Sequence, residues 1–220
     1  SSIFSAEENQ TAIGTIEATD EEGDDLTYSV SGSEISISGA GVLSFVSAPD
    51  YETKSTYSAI VTVSDGNNQT TQNITVSIVN LNDVAPVISS SSIFSAEENQ
   101  TAIGTVIASD DEGDDLTYSI SGSEILISSS GVLTFVSAPD YETKSTYTST
   151  ITVNDGVNST AQNITVNVTN INDNSPVISS SATFSAAENQ TSIGEVTATD
   201  ADGDDLTYSI SGSEILISSS

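Results

Sequence analysis

The sequence predicts an all-β fold: tandem seven-stranded β-sandwiches of the immunoglobulin-like class. Three observations carry that prediction. SSIFSAEENQTAIGT begins at Ser1 and again at Ser91, and SATFSAAENQTSIGE begins at Ser181, so the 220 residues repeat with a period of about 90. Within each period, short β-branched or alternating runs are separated by Gly, Pro, Asn and Asp turns. No stretch carries a 3.6-residue apolar period. About seven short strands in roughly 90 residues describe a sandwich.

In the first repeat the expected strands are a short one at Ile3 to Ser5, then Ile13 to Thr19, Leu26 to Val30, Glu34 to Ile37, Val42 to Val46, Tyr57 to Val63 and Asn73 to Val79. Glu22-Gly23-Asp24, Gly39-Ala40-Gly41, Pro49-Asp50 and Asp65-Gly66-Asn67 supply the turns between them. Phe4, Tyr28, Phe45, Tyr51 and Tyr57 are the expected aromatic core, packing residues before ligand platforms. The first two repeats agree at 67 of 90 positions, which marks a tandem duplication. The third runs to Ser220, the counterpart of Ala40, so its core is expected to be incomplete. The expected domains are 1–87, 88–177 and 178–220.

Composition narrows the chemistry. There are 32 Asp plus Glu against 2 Lys plus Arg, a formal charge of −30, and no His, Cys, Met or Trp. Imidazole bases, thiolate nucleophiles and the usual N/S zinc sites are therefore excluded, and any metal must be held by oxygen. Nucleic acid and anionic lipid, which need Lys and Arg, are excluded as partners. The longest apolar stretches, such as Val42-Leu43 and Phe45-Val46, fall far short of the roughly 20 residues that span a bilayer, so no direct membrane insertion is expected.

The acids gather in turns and at strand ends: Glu7-Glu8, Asp20-Glu21-Glu22 with Asp24-Asp25, Asp50 with Glu52, Asp65, and Asn82-Asp83, nearly all returning 90 residues later. Two carboxylates ~5 Å apart repel by ~3 kcal/mol at an effective dielectric of 20, so such clusters call for a cation. With so few Lys and Arg, a hard divalent ion is the candidate. Ca²⁺, which accepts six to eight oxygens, fits better than Mg²⁺. Asp200-x-Asp202-x-Asp204 opens like an EF-hand loop, but Asp205 stands in place of its Gly and Ser211 in place of its Glu, so a composite site from several loops is expected instead.

Ala6-Glu7-Glu8-Asn9, Asp20-Glu21-Glu22-Gly23, Asp50-Tyr51-Glu52, Val63-Ser64-Asp65-Gly66 and Asn80-Leu81-Asn82-Asp83-Val84-Ala85-Pro86 resemble, in order and spacing, the calcium motifs of cadherin repeats. The second linker, Asn170-Ile171-Asn172-Asp173-Asn174-Ser175-Pro176, is closer still, and Asp200-Ala201-Asp202-Gly203 matches the DADG form. The resemblance covers the whole chain. It implies a first junction built from Glu8, Asp50, Glu52, Asn82, Asp83, Asp110, Glu112 and Asp155 with the carbonyls of Leu81 and Val84. It implies a second from Glu98, Asp140, Glu142, Asn172, Asp173, Asp200 and Asp202 with the carbonyls of Ile171 and Asn174. Three calcium ions per junction, as in cadherins, would set +6 against the seven carboxylates of the first.

The sequence departs from the family at Asn80 and Asn170, where the linker usually has Asp, at Val84 for Asn and at Glu112 for Asp. Asp20, Glu22 and Asp65 are expected to be the receiving half of a junction with a preceding domain. The side chains of Asp24, Asp25, Asp114 and Asp115 are expected to be solvated, and Glu34, Glu124 and Glu214 to lie on the surface. Lys54 and Lys144 are expected to pair with a nearby acid.

The function implied is that of an extracellular, cell-surface adhesin segment, with Ca²⁺ at the domain junctions stiffening the array for adhesion or as a spacer. Extracellular modules of this type bind calcium at about 10⁻⁴ to 10⁻³ M. The expected partners are calcium ions and other adhesin molecules or cell-surface ligands. Near-identical repeats, abundant Ser and Thr and the lack of Cys suggest a large bacterial surface protein. A polysaccharide-binding module is the alternative, with Tyr28, Tyr51 and Tyr57 as its only aromatic candidates. A glycosidase built on paired carboxylates is chemically possible, but every acidic pair recurs in each repeat and has a better role as ligand, so the chain is read as no enzyme.

Overall fold

The computed structural model describes residues 2–218, and every regular element in it is a strand. In the first repeat these are β1 (Ser2–Glu7), β2 (Ala12–Thr15), β3 (Thr27–Val30), β4 (Ile35–Ile37), β5 (Val42–Phe45), β6 (Thr56–Ser64) and β7 (Gln69–Val79). All seven expected strands form. The stretch from Ile13 to Thr19 is the main difference in extent: β2 stops at Thr15, after a register shift against β5 between Ala12 and Gly14.

One sheet has the order β1-β7-β6-β3 and the other β2-β5-β4. β1 runs parallel to β7, with Ala6 opposite Ile78, and the remaining pairs are antiparallel. Because side chains alternate across a strand, every second residue of β6 and β7 turns inward: Ala59, Val61 and Val63, and Ile74, Val76 and Ile78. They meet Ile35, Leu43 and Phe45 in one buried cluster. Leu43, Ile74 and Val76 are almost fully enclosed, each contributing roughly 1.5–3 kcal/mol of burial. Of the expected aromatic core only Phe45 is fully buried. Phe4, Tyr28, Tyr51 and Tyr57 lie half-buried against it, their rings closing its margin.

The turn before β5 has a steric requirement. Gly41 sits at φ +77°, its carbonyl accepts from Ile16 N–H at 2.8 Å, and a Cβ there would lie 2.4 Å from the Ile16 carbonyl oxygen. Only glycine satisfies both conditions.

Packing divides the chain into two compact units. The first comprises the chain up to Val87 together with Ser109–Thr117 and Asn154–Thr160; the second comprises Ile88–Ala108, Tyr118–Val153 and the chain from Ala161 onward. The second unit repeats the plan. A sheet of Ala102–Thr105, Val132–Phe135 and Ile125–Ile127 and a parallel pair of Ile93–Glu97 with Thr165–Thr169 enclose Leu133, Phe135, Ile151, Val153, Ile164 and Val166. The third repeat adds one short antiparallel pair, Val177–Ile178 with Ala198–Thr199; Phe184, Ile193, Ile210, Ile215 and Leu216 are exposed, and Val196, Leu206 and Tyr208 half-buried.

Lys54 and Lys144 are paired. Lys54 Nζ lies 2.6 Å from Glu34 and 4.3 Å from the Tyr57 ring centre, and Lys144 repeats this with Glu124 and Tyr147. Glu34 and Glu124 are therefore exposed but engaged, in pairs worth under ~1 kcal/mol each.

Candidate metal centre

The first acidic centre lies wholly within the first compact unit, although Asp110, Glu112 and Asp155 come from the second repeat of the sequence. Glu8, at the end of β1, is its buried anchor, 2% exposed. Its Oε2 accepts from Tyr51 N–H at 2.9 Å and its Oε1 from Leu81 N–H at 2.7 Å. One carboxylate thus ties the Asp50-Tyr51-Glu52 loop to the linker by two charge-assisted bonds. The chain can turn there because Asn9 adopts φ +61°, a left-handed geometry that Asn tolerates. Asn9 N–H then donates to Pro49 O at 3.0 Å, and Asn9 Nδ2 donates to Asp83.

Around this anchor the carboxylates of Glu8, Glu52, Asp83 and Glu112 offer oxygens that all lie within 4.8 Å of one another. Glu112 also accepts from the N–H groups of Asp83 (2.9 Å) and Val84 (3.0 Å), which fixes the linker against the Asp110 loop. Asp110 Oδ1 accepts from Glu112 N–H at 3.0 Å. Asp155 Oδ1 accepts from Val157 and Asn158 N–H, at 2.7 and 2.6 Å, and its carbonyl accepts from Asn82 Nδ2 at 3.3 Å.

The second centre lies within the second unit and copies the first. Glu98, 2% exposed, accepts from Tyr141 N–H at 2.8 Å and Ile171 N–H at 2.7 Å, and Glu98, Glu142, Asp173 and Asp202 form the four-acid group. Asp202 N–H donates to Asp200 at 2.9 Å, and Asp202 Oδ2 accepts from Asn174 N–H at 2.8 Å. Here Asn174 also directs its amide nitrogen at the acids, 3.2 Å from Glu142, 2.9 Å from Asp173 and 3.2 Å from Asp202. Val84, its counterpart, has no such group.

The electrostatics follow from crowding. Loss of surrounding water and, after it, the charges of Glu8, Glu112 and Asp50 push the Glu52 carboxyl above its ordinary value. Glu142 is raised by the same desolvation and by Glu98 and Asp202. Desolvation also acts on Asp155 and Asp202, but N–H donors outweigh it and both carboxyls are lowered.

The donor set suits a hard cation. Asp110 Oδ2, Asp155 Oδ2 and Asn80 Oδ1, all in the first unit, are buried oxygens without a hydrogen-bond partner. Buried acceptors of this kind are costly unless something positive meets them. Every available atom is oxygen, which Ca²⁺ prefers.

Most of the expected ligands are brought together. Asp50 and Asp140 stand apart from the four-acid groups: both oxygens of Asp50 are taken by Thr53, by its N–H and its hydroxyl at 3.0 Å, and Asp140 binds Thr143 in the same way. Leu81 and Ile171 enter through their N–H groups, donating to Glu8 and Glu98. Among the described residues the Asn172 side chain makes no hydrogen bond, whereas Asn82 donates to the Asp155 carbonyl and accepts from Asn158 Nδ2 at 3.1 Å.

Asp24, Asp114 and Asp204, read as solvated or left out, join Asp20 with Glu22, Asp110 with Glu112 and Asp200 with Asp202 in groups of acids. The i, i+2, i+4 spacing of those loops carries that signal in the sequence. Asn80 enters the sequence only as a departure from the usual linker Asp, and Asn158, outside every motif, carries no signal there.

With the geometry in place, comparison with known proteins decides the family. The model described as a bacterial Ig domain matches residues 1–78 and 82–169. The chain belongs to that family. Among curated proteins, this Ig-domain chain is 31% identical to mouse Protocadherin-15 and 30% to the human protein over 224 residues, covering 91% of the chain but 12% of either relative. Among solved structures it is similar to repeats EC22–24 of mouse cadherin-23 (TM-score 0.75, 22% identity, 91% of this chain and 74% of that one). It is also similar to repeats EC1–2 of human protocadherin-24 (TM-score 0.67, 22% identity, 77% of this chain and 95% of that one). The Ig-domain chain therefore consists of cadherin-like β-sandwich repeats. The cell-surface, extracellular setting expected from its sequence agrees with these relatives, and no helix among its described residues is long and apolar enough to cross a membrane.

Tyr28, Tyr51 and Tyr57, the aromatic candidates for a polysaccharide platform, are half-buried against the core.

Proposed function

We propose that this chain is a calcium-binding repeat region of a cell-surface adhesion protein, in which Ca²⁺ at each acidic centre stiffens the junction between consecutive repeats. The boundaries are 1–87, 88–177 and 178–220. The observation that carries the reading is the pair of unpartnered buried oxygens on Asp110 and Asp155, in the same unit as four crowded carboxylates. A folded protein does not keep unsatisfied anionic oxygens out of water without a compensating charge.

Glu8, Glu52, Asp83, Asp110, Glu112 and Asp155 would hold the ions of the first centre, with Asn82 and the linker carbonyls of Leu81 and Val84; Asp50, oriented by Thr53, would ligate through the lone pairs its two hydrogen bonds leave. Glu98, Glu142, Asn172, Asp173, Asp200 and Asp202 would serve the second with Asn174 and Ile171, and Asp140 there as Asp50 does in the first. Bound calcium supplies positive charge shared between acids from two repeats. The residues themselves do the rest: Glu8 and Glu112 hold the linker by its N–H groups, and Asn9 holds Asp83.

The stiffened array serves adhesion, to another copy or to another surface, or separates an adhesive domain from the cell. The bacterial family model supports an origin in a large bacterial surface protein. Calcium titration with small-angle scattering and thermal melting tests the reading. The radius of gyration and melting temperature should change together between chelator and millimolar Ca²⁺, and unchanged values would refute it. Analytical ultracentrifugation in the same series separates adhesion, which predicts calcium-dependent dimers, from spacing, which predicts monomers.

A further inference from the structure

We propose that Glu34 and Glu124 are positioning residues that hold the single lysine of each of the first two repeats away from its acidic centre, leaving the acids open to calcium. The inference deepens the calcium reading above and rests on it. It starts from where the cations stand. Against 32 acids the chain has two cations, Lys54 and Lys144, and each follows a member of a four-acid group, Glu52 or Glu142, by two residues. Lys54 N–H donates to the Asp50 carbonyl at 2.9 Å, so the lysine closes the very turn that presents Glu52, and Lys144 closes its copy on Asp140. A flexible four-carbon stem rooted there can turn its ammonium toward the acids.

The fold sends it elsewhere. Lys54 Nζ lies 2.6 and 2.7 Å from the two Glu34 oxygens and 4.3 Å from the Tyr57 ring centre. Lys144 takes the same pose, 2.6 Å from both Glu124 oxygens and 4.3 Å from the Tyr147 ring centre. Glu34 and Glu124 belong to none of the acid groups, and their backbones are fixed, each carbonyl accepting the N–H of Val46 or Val136 at 2.9 Å. Among the described residues these are the two lysine–carboxylate pairs, so neither ammonium meets Glu8, Glu52, Asp83 or Glu112.

An exposed pair of this kind adds little to stability. Its consequence lies in where it keeps the charge. An ammonium among four carboxylates is an internal counter-ion: it lowers the negative potential of the site and occupies oxygens that an incoming divalent ion needs. Held on Glu34, with the Tyr57 ring face as a second hold, the lysine leaves those oxygens to the ion. Glu34 thus acts on the site through Lys54 and touches no ligand itself.

The test uses the full chain with Glu34→Ala, Lys54→Gln and the two combined, the second repeat serving as internal reference. Calcium titration is followed by NMR at the amides of Asp83 and Asp173. In Glu34→Ala the calcium midpoint at Asp83 should rise about three- to fivefold, the size expected of one surface pair, while that at Asp173 holds. Lys54→Gln should not raise it, and the combined variant should match Lys54→Gln, because without the lysine there is nothing for Glu34 to hold. In chelator, the Lys54 methylene signals, shifted by the Tyr57 ring in the parent, should move toward ordinary values in Glu34→Ala while the amide spectrum of β5 to β7 is retained. Glu34→Gln, which keeps the size of the side chain, serves the same comparison. An unchanged midpoint in Glu34→Ala overturns the proposal and leaves the calcium reading standing. So does an equal rise in Lys54→Gln, which would make the pair a brace of the loop. A parent chain whose Asp83 and Asp173 amides do not respond to millimolar calcium overturns both.

Discussion

Glu8 and Leu81, 73 positions apart, are joined by a 2.7 Å bond from the Leu81 N–H to the buried Glu8 carboxylate, and the other oxygen of that carboxylate takes the N–H of Tyr51. The pair closes the base of the first sandwich before any metal is considered. Glu8→Ala should leave two N–H groups without their charged acceptor. It should lower stability in chelator by roughly 2–3 kcal/mol, read as a reduced midpoint in urea. Glu8→Gln keeps one acceptor and should lose less stability, while still weakening calcium binding.

Asp155 presents one oxygen to Val157 and Asn158 and buries the other without a partner. Asp155→Asn retains the size of the side chain and removes a charge from the ligand set. Calcium affinity at the first centre should fall on the order of tenfold, about 1.4 kcal/mol, with little change in the chelated melting temperature. Isothermal titration against the parent chain measures the affinity and thermal melting in chelator the stability; an unchanged affinity would remove Asp155 from the set.

The acids should also give the chelated protein a stability maximum in mild acid. Glu52 and Glu142 are raised above 4.5 by desolvation and like charges, so their contribution is fully present below the unfolded value and lost as pH rises through the folded one. Asp50 and Asp65, held by the N–H groups of Thr53 and of Asn68 and Asn67, are lowered, as are Asp155 and Asp202, where N–H donors overcome desolvation. Their contribution is present above 3.8 and lost as pH falls through the lower folded value. Melting in chelator should therefore improve from neutral pH down toward about 4.5 and decline below about 3.8. In calcium the upper trend should reverse, because protons on Glu52 and Glu142 compete with the ion.

The two linkers differ at three positions, and one of them, Val84 against Asn174, changes what faces the acids. Asn174 sets an amide among Glu142, Asp173 and Asp202, and Val84 sets nothing among Glu52, Asp83 and Glu112. Val84→Asn should stabilise the chelated first unit by about 0.5–1.5 kcal/mol, and Asn174→Val should destabilise the second by a similar amount. Differential melting of the two variants in chelator checks both directions.

Much of this was legible in the residues. Alternation in the runs containing Val61 and Val63, and Ile74 and Val76, announced strands with one buried face, and the 90-residue period announced copies of one sandwich. The linker acids were legible because charge clusters of one sign demand a cation wherever they fold. Three features were not: the double role of Glu8, the turn that Asp50 makes with Thr53, and the burial of the Asn80 side-chain oxygen. Each depends on which atoms meet across long sequence separations.

By itself, then, the sequence determined the strand content, the repeat and the hard-cation chemistry, because alternation, turn residues and charge are local properties of the chain. The tertiary structure decided which oxygens are oriented by backbone N–H groups and which are buried without a partner. It also decided that Val177 and Ile178 pair with Thr199 and Ala198. Each hydrogen bond to a carboxylate orients it and leaves its remaining lone pairs to be aimed elsewhere, and only the folded arrangement of Glu8, Leu81, Asp110 and Asp155 settles where they point.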